Sequence, residues 1–292
     1  MDRIDPQRFK EFKEIRDRQW EKMWDEIISE GIRVCYLWEG EAPGWNPEAT
    51  GSQPRIALYP VKDKNRGTVI ICAGGAFIFK SFNEAKPVAE YFHKAGLNAA
   101  ILDYRVQPHP QEICCRDGLR AIRFLRANAG IFGIPADKIA IGGFSAGGML
   151  SAYTATRFDY GDPESDDPVE RVSSRPDAAL ILYGAMSPAS FGTGGLGYDI
   201  KKQNEIAQLD NVKNLRHDCP PFFIFQTHED DPRSAMNFGK ELADRGIPFE
   251  VHTFAKGPHG GGLYNGKDDT PDFPHTARWA ELAVEWLVEL GF

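Results

Sequence analysis

Apolar positions recur along this chain in two rhythms. Over residues 5–30 they fall at helical spacing, with Phe9, Phe12, Ile15, Trp20, Met23, Trp24 and Ile27 along one side. Asp5 suits the N-cap, Pro6 the first helical position and Gly31 a C-terminal stop. The spacing predicts a helical arm, residues 1–31. It is read as packed on the main domain; the alternatives are a contact between two copies, making a homo-oligomer, or part of a cap over the site. From 32 to 64 the chain is rich in Gly, Pro and Trp, with one short strand near 55–59. A second rhythm then begins. Short β-rich runs at 68–72, 99–102, 139–141, 178–182, 222–225 and 249–254 alternate with helical patterns near 84–95, 112–129, 146–157 and 235–245. A last helix near 276–290 carries Trp279, Leu282, Ala283, Trp286 and Leu287 on one stripe. This alternation predicts an α/β domain over 32–292, a mostly parallel central sheet with helices on both faces. Residues 185–220 break the rhythm, with Gly192, Gly194, Gly195 and Gly197 and only weak helical pattern. They read either as an insertion walling a substrate pocket or as an ordinary long connection.

Composition narrows the function classes. With 34 Lys+Arg against 42 Asp+Glu the formal net charge is −8, which argues against nucleic acid and against an anionic membrane as partners. The longest mostly apolar run, 68–79, holds 12 residues including Gly74 and Gly75, where a spanning helix needs roughly 20. The start, Met-Asp-Arg-Ile-Asp-Pro, lacks the basic-then-apolar pattern of a secretory signal, so the cytoplasm is the expected compartment. Five scattered cysteines, Cys35, Cys72, Cys114, Cys115 and Cys219, do not suggest a disulfide scaffold, and no CxxC or nearby His supports a metal at the Cys114–Cys115 pair.

The strongest chemical signal is Gly143-Phe144-Ser145-Ala146-Gly147, a G-x-S-x-G motif between a predicted strand and a predicted helix. Small flanking residues let strand and helix approach, and the turn lifts the serine oxygen clear of the sheet. A serine hydroxyl needs a base, and the base needs an orienting acid. Of seven histidines, His259 stands out in Lys256-Gly257-Pro258-His259-Gly260-Gly261-Gly262, a loop that follows the 249–254 strand. The acid is expected after the 222–226 strand, in Thr227-His228-Glu229-Asp230-Asp231-Pro232. Glu229 lies close to the strand; Asp230 and Asp231 are left as equal candidates. After the 68–72 strand, Ala73-Gly74-Gly75-Ala76-Phe77 has consecutive glycines whose amides can turn toward an anion. With the Ala146 amide, at a helix N-terminus, Gly74 and Gly75 would form an oxyanion hole.

Several segments together resemble the α/β-hydrolases, in the serine esterase branch of acetyl-xylan-esterase-like and feruloyl-esterase-like enzymes that neighbours the hormone-sensitive-lipase group. They are Leu37-Trp38-Glu39-Gly40, Ala42-Pro43-Gly44, 73–77, Leu102-Asp103-Tyr104-Arg105-Val106, 141–148, Pro220-Pro221 and 256–260. The resemblance spans about residues 36 to 290. It matches Ser145 to the nucleophile, His259 to the base, and Gly74, Gly75 and the Ala146 amide to the oxyanion hole. The acid matches Asp230 counted from Thr227, or Asp231 aligned on the Asp-Pro pair. Ala73 stands where related enzymes have Pro or His, Ala76 where they have a third glycine, and the N-terminal helix is extra. The resemblance implies hydrolysis of a small-molecule ester with a short acyl group, acetyl in first place, on a carbohydrate or related alcohol, with no metal or cofactor. A peptidase-like or lactone-cleaving enzyme on the same fold is the first rival. A non-catalytic binding protein is the second.

Overall fold

Among the described residues, eight strands form one sheet in the order β1-β2-β4-β3-β5-β6-β7-β8. They are β1 (Arg33–Tyr36), β2 (Arg55–Tyr59), β3 (Thr68–Cys72), β4 (Asn98–Asp103), β5 (Ile139–Phe144), β6 (Ala178–Leu182), β7 (Phe222–Thr227) and β8 (Phe249–Phe254). β2 runs antiparallel to both its neighbours, β1 at the edge and β4 on the other side, and the remaining neighbour pairs are parallel. The computed structural model describes residues 6–49, 51–184, 186 and 210–292. Asp5, expected to cap the first helix, and residues 185 and 187–209 of the 185–220 insertion lie outside the described residues.

Side-chain alternation divides the core in two. In β3, Ile70 and Cys72 face one layer while Val69 and Ile71 face the other; in β7, Phe222 and Ile224 face the first, Phe223 and Phe225 the second. The first layer is covered by α3 (Gln111–Ala127), α5 (Ala146–Thr156) and α6 (Arg233–Asp244), with the short α4 (Ala129–Phe132) at its margin. The second is covered by α1 (Pro6–Ser29), α2 (Lys86–Lys94) and α8 (Trp279–Glu289), which follows the single-turn α7 (Pro274–Ala277). Helices on both faces explain why β2 to β7 are buried along their whole length and carry apolar runs rather than a polar face.

The structure differs from the expected elements in places with a physical reason. β1 adds a strand where none was expected. Its Arg33-Val34-Cys35-Tyr36 lies at the sheet edge with both ends exposed, so it has little apolar signal. β5 runs on through Gly142 and Gly143 to Phe144, although glycine is depleted in strands. The 112–129 helix ends at Asn128 and a short turn follows; the last helix likewise divides at Arg278. In α1 only Trp20, Met23, Trp24 and Ile27 are buried, while Phe12 and Ile15 are exposed. The helix is anchored by the Trp20 indole N–H, which donates to buried Asp103 at 2.9 Å. No described helix is long and apolar enough to cross a membrane.

The topology fixes where a site can form. From β3 the chain winds outward through β4; from β5 it winds the other way through β6, β7 and β8. β3 and β5 are therefore the strands between which the winding reverses, and a crevice opens beyond their C-terminal ends. Those ends lead into Gly74 and Ser145.

Candidate active site

Ser145 sits between β5 and α5 with φ 52° and ψ −113°, a left-handed conformation that non-glycine residues rarely adopt. Such strain persists only where neighbours over-determine it. Here the neighbours are glycines. A Cβ on Gly147 would overlap the carbonyl oxygen of Cys72, and one on Gly143 would overlap the carbonyl of Gly147. Bare glycines thus let α5 press against β3 and β5. The Ser145 amide donates to Leu182 O at 3.0 Å and its carbonyl accepts from Met149 N–H at 3.0 Å, so the turn is held at both ends.

His259 reaches across from the loop after β8. Its Nε2 lies 2.8 Å from Ser145 Oγ and its Nδ1 2.6 Å from Asp230 Oδ2. A carboxylate only accepts, so Nδ1 carries the proton and Nε2 offers its lone pair to the serine hydroxyl. The loop is pinned along its length. Thr227 Oγ1 donates to Gly257 O at 2.6 Å, Gly257 N–H to Glu229 Oε2 at 2.9 Å, Tyr264 Oη to Pro258 O at 2.7 Å, and the Trp279 indole to Gly262 O at 3.1 Å. Burial alone would pull the His259 pKa down; the Asp230 hydrogen bond and charge, aided by the charge of Glu84, outweigh it, and the net shift is upward.

The two candidate acids are separated. Asp230 closes the short 3-10 turn His228–Asp230 after β7 and meets His259. Asp231 does not: at φ 54° the backbone turns it outward, where it accepts from Arg233 N–H at 3.1 Å and pairs with the Arg233 guanidinium at 2.6 Å. Its carboxyl is held below the usual range by that arginine. Asp231 is thus a helix-start residue of α6. Glu229, set aside for its nearness to the strand, holds Gly257 in the histidine loop.

The glycine loop corrects a second expectation. Gly74 does lie against the serine, since a Cβ there would stand 2.9 Å from Ser145 Cβ. Its N–H, however, donates to Glu84 Oε2 at 2.7 Å and is not free for an oxyanion. The amides of Gly75 and Ala146 have no partner among the described residues. Gly75, Ala76 and Phe77 all have positive φ (133°, 54° and 58°), and successive turned amides of this kind make an anion-binding concavity.

Two residues to which the sequence assigned no role complete the arrangement. Glu84, in the 3-10 turn Phe82–Glu84, is buried and accepts from Gly74 N–H and, at 2.6 Å, from Tyr183 Oη. Tyr183, just past β6 with φ 39°, accepts in turn from Gly262 N–H at 2.9 Å, and its ring stands edge-on to His259 at 5.0 Å. A glutamate at the start of a helical pattern looks like an ordinary first-turn acid, so only its burial singles it out.

Known proteins place this chain. The BD-FAE family model matches residues 56–242, from β2 into α6; Ser145 and Asp230 fall inside the match and His259 beyond it. Endo-1,4-beta-xylanase B of Butyrivibrio fibrisolvens is 29% identical over 74% of this chain, and acetylxylan esterase of Xylanibacter ruminicola is 22% identical over 73%. The chain spans only 36% and 44% of the length of these two relatives. Among solved structures, an acetyl ester-xyloside bifunctional hydrolase from Caldicellulosiruptor lactoaceticus is 30% identical. It superposes with a TM-score of 0.79, covering 89% of this chain and 97% of that one. With the sheet order and the strand-to-helix serine turn described above, these matches show that the chain has the α/β-hydrolase fold and belongs to the BD-FAE family.

Proposed function

We propose that this protein is a serine carboxylesterase that cleaves short acyl esters, acetyl in first place, of carbohydrates or related small alcohols. The observation that carries the reading is the continuous chain from Asp230 through His259 to Ser145, with contacts of 2.6 and 2.8 Å. In the reaction Ser145 Oγ attacks the ester carbonyl while His259 Nε2 takes its proton. The Asp230 carboxylate stabilises the imidazolium that forms and keeps the ring in the productive tautomer. The tetrahedral oxyanion is received by the Gly75 and Ala146 amides, whose N–H groups have no partner among the described residues, the latter at the positive end of α5. His259 then protonates the departing alcohol, which leaves the acyl group on Ser145. Water enters, His259 removes its proton, and collapse of the second tetrahedral intermediate releases the acid and restores the serine.

The acyl and alcohol preferences draw support from the relatives, two of which are described by acetylxylan or acetyl ester-xyloside substrates. The net charge of −8 agrees better with a neutral ester than with a polyanion. The test is hydrolysis of p-nitrophenyl acetate by wild type and by Ser145→Ala, then of acyl chains of increasing length and of acetylated xylo-oligosaccharides. Losing a triad nucleophile lowers kcat by about 10⁴–10⁶. Equal rates for the two proteins sink the serine mechanism. A preference for long acyl chains, or no release of acetate from the oligosaccharides, sinks the substrate class.

A further inference from the structure

Glu84 is a buried carboxylate that the reaction above does not use. Its exposure is 2%, yet both oxygens have a defined donor. Oε2 receives the Gly74 amide. Oε1 receives the hydroxyl of Tyr183, and that hydroxyl, its one proton spent on Glu84, still accepts the Gly262 amide. The donors lie on three separate segments: the glycine loop after β3, the end of β6, and the loop that carries His259. The Glu84 and Tyr183 positions are 99 residues apart in the chain, and Tyr183 and Gly262 are 79 apart. Glu84 thus holds the glycine loop directly and reaches the histidine loop through Tyr183.

The geometry bears on the glycine loop through one residue, Gly74, whose N–H and C=O lie in consecutive peptide units. Gly74 N–H is held by Glu84, while Gly74 C=O accepts from Ser81 N–H at 3.0 Å. Across a trans peptide the C=O of Gly74 and the N–H of Gly75 point in opposite directions. Holding Gly74 on both sides therefore aims the Gly75 amide. The approach is close: a Cβ on Gly74 would come within 2.7 Å of Glu84 Oε2. On the other arm, Tyr183 fixes Gly262 and stands against the His259 ring.

We propose that Glu84 is a positioning residue for ester hydrolysis, its carboxylate setting the glycine loop through Gly74 and the histidine loop through Tyr183 and Gly262. The inference rests on the esterase reading above. The groups facing His259 are Asp230 from the turn after β7, Tyr183 from the end of β6, Ser145 from the β5–α5 turn and Glu84 itself; Arg16 on α1 adds its charge to Glu84, and Tyr264 packs on Tyr183. Burial pushes the Glu84 carboxyl up; its hydrogen bonds to Tyr183 and Gly74 offset only part of that, and the net shift is upward. Its negative charge favours the imidazolium of His259.

Glu84→Ala and Glu84→Gln separate this role from simple core packing. In Glu84→Ala, kcat for p-nitrophenyl acetate falls about 10²-fold, the usual effect of losing one oxyanion donor, with KM little changed. In Glu84→Gln the amide oxygen still accepts from Gly74, so at least about tenfold of the loss returns. The charge beside His259 is gone, however, and the acid limb of kcat/KM moves to lower pH. Support requires both the recovery by glutamine and the moved limb; absence of either overturns the proposal, as does wild-type kcat in Glu84→Ala. A second readout does not depend on turnover: the His259 ring titrated by NMR shifts to lower pH in Glu84→Gln, and an unmoved titration overturns the proposal. That readout decides if Glu84→Ala does not fold. It also separates the two readings, since wild type with no Ser145-dependent turnover defeats the esterase reading while the NMR shift still judges Glu84.

Discussion

At the scale of single residues, Asp230 and Asp231 illustrate how one backbone dihedral divides labour. Both are aspartates in the same loop, but only Asp230 meets His259; the left-handed turn at Asp231 sends its carboxylate to Arg233. Asp230→Asn is expected to lower kcat by about 10⁴-fold, because the amide no longer holds the imidazole in the required tautomer. Asp231→Asn leaves kcat near wild type, and a loss comparable to that of Asp230→Asn would contradict the assignment. The pH dependence follows from His259. Its pKa is raised above the ordinary histidine value, and in the proposed mechanism the neutral ring is the base, so kcat/KM is expected to fall as pH drops through that raised value. The acid limb of a pH–rate profile therefore lies above about 6.5, the unperturbed histidine value. A limb below that value would mean burial, not Asp230, dominates the ring.

At the scale of elements, the proposed nucleophile Ser145 depends on how closely α5 approaches β3 and β5. The approach is made by residues without side chains, Gly143 and Gly147, each facing backbone rather than a flexible group. Gly147→Ala would drive a methyl into the Cys72 carbonyl, and α5 would have to move away from β3. Overpacking of this sort costs about 1–3 kcal/mol, and displacement of Ser145 adds a loss of activity beyond the stability change. Chemical denaturation gives the first, and kcat per folded molecule the second; a fully active, equally stable Gly147→Ala would show that the contact is not tight. The motif was legible from sequence because a strand, five residues and a helix are all local. The occupation of the Gly74 amide was not, because its partner enters from a turn whose acid has no distinctive pattern around it.

At the scale of the whole molecule, the N-terminal helix is joined to the sheet through one buried charge. Asp103, at the end of β4, accepts from the Trp20 indole, from Ser52 Oγ and from Arg55, and pairs with Lys80 just beyond the glycine loop. Arg55 stacks on Trp24 and Lys80 on Trp20, so α1, β2, β4 and the glycine-loop segment share one cluster. Burial would raise the Asp103 pKa, but Lys80 and Arg55 outweigh it and hold it low. A carboxylate with a depressed folded-state pKa contributes stability that is present above its unfolded value of about 3.9 and is lost as pH falls through the folded value. Removing it leaves Lys80 without a carboxylate and Arg55 with only Glu21, 3.7 Å away. Asp103→Ala is therefore expected to cost about 3–5 kcal/mol, measured by urea unfolding at neutral pH, and to flatten the acid side of the stability profile. An unchanged midpoint would mean that α1 and Lys80 are held by their apolar contacts alone.

The sequence by itself determined the layered architecture and the serine and histidine positions. Period-two and period-3.6 patterns are properties of neighbouring residues, and so are the glycines around Ser145 and His259. The tertiary structure alone decided which aspartate faces the imidazole, which amide is already occupied, and how Glu84 and Tyr183 join two loops. Those contacts link residues 29, 10 and 99 positions apart, as in His259–Asp230, Gly74–Glu84 and Tyr183–Glu84. A carboxylate's partner is set by the direction of a turn and the depth of burial, and neither is written in the residues beside it.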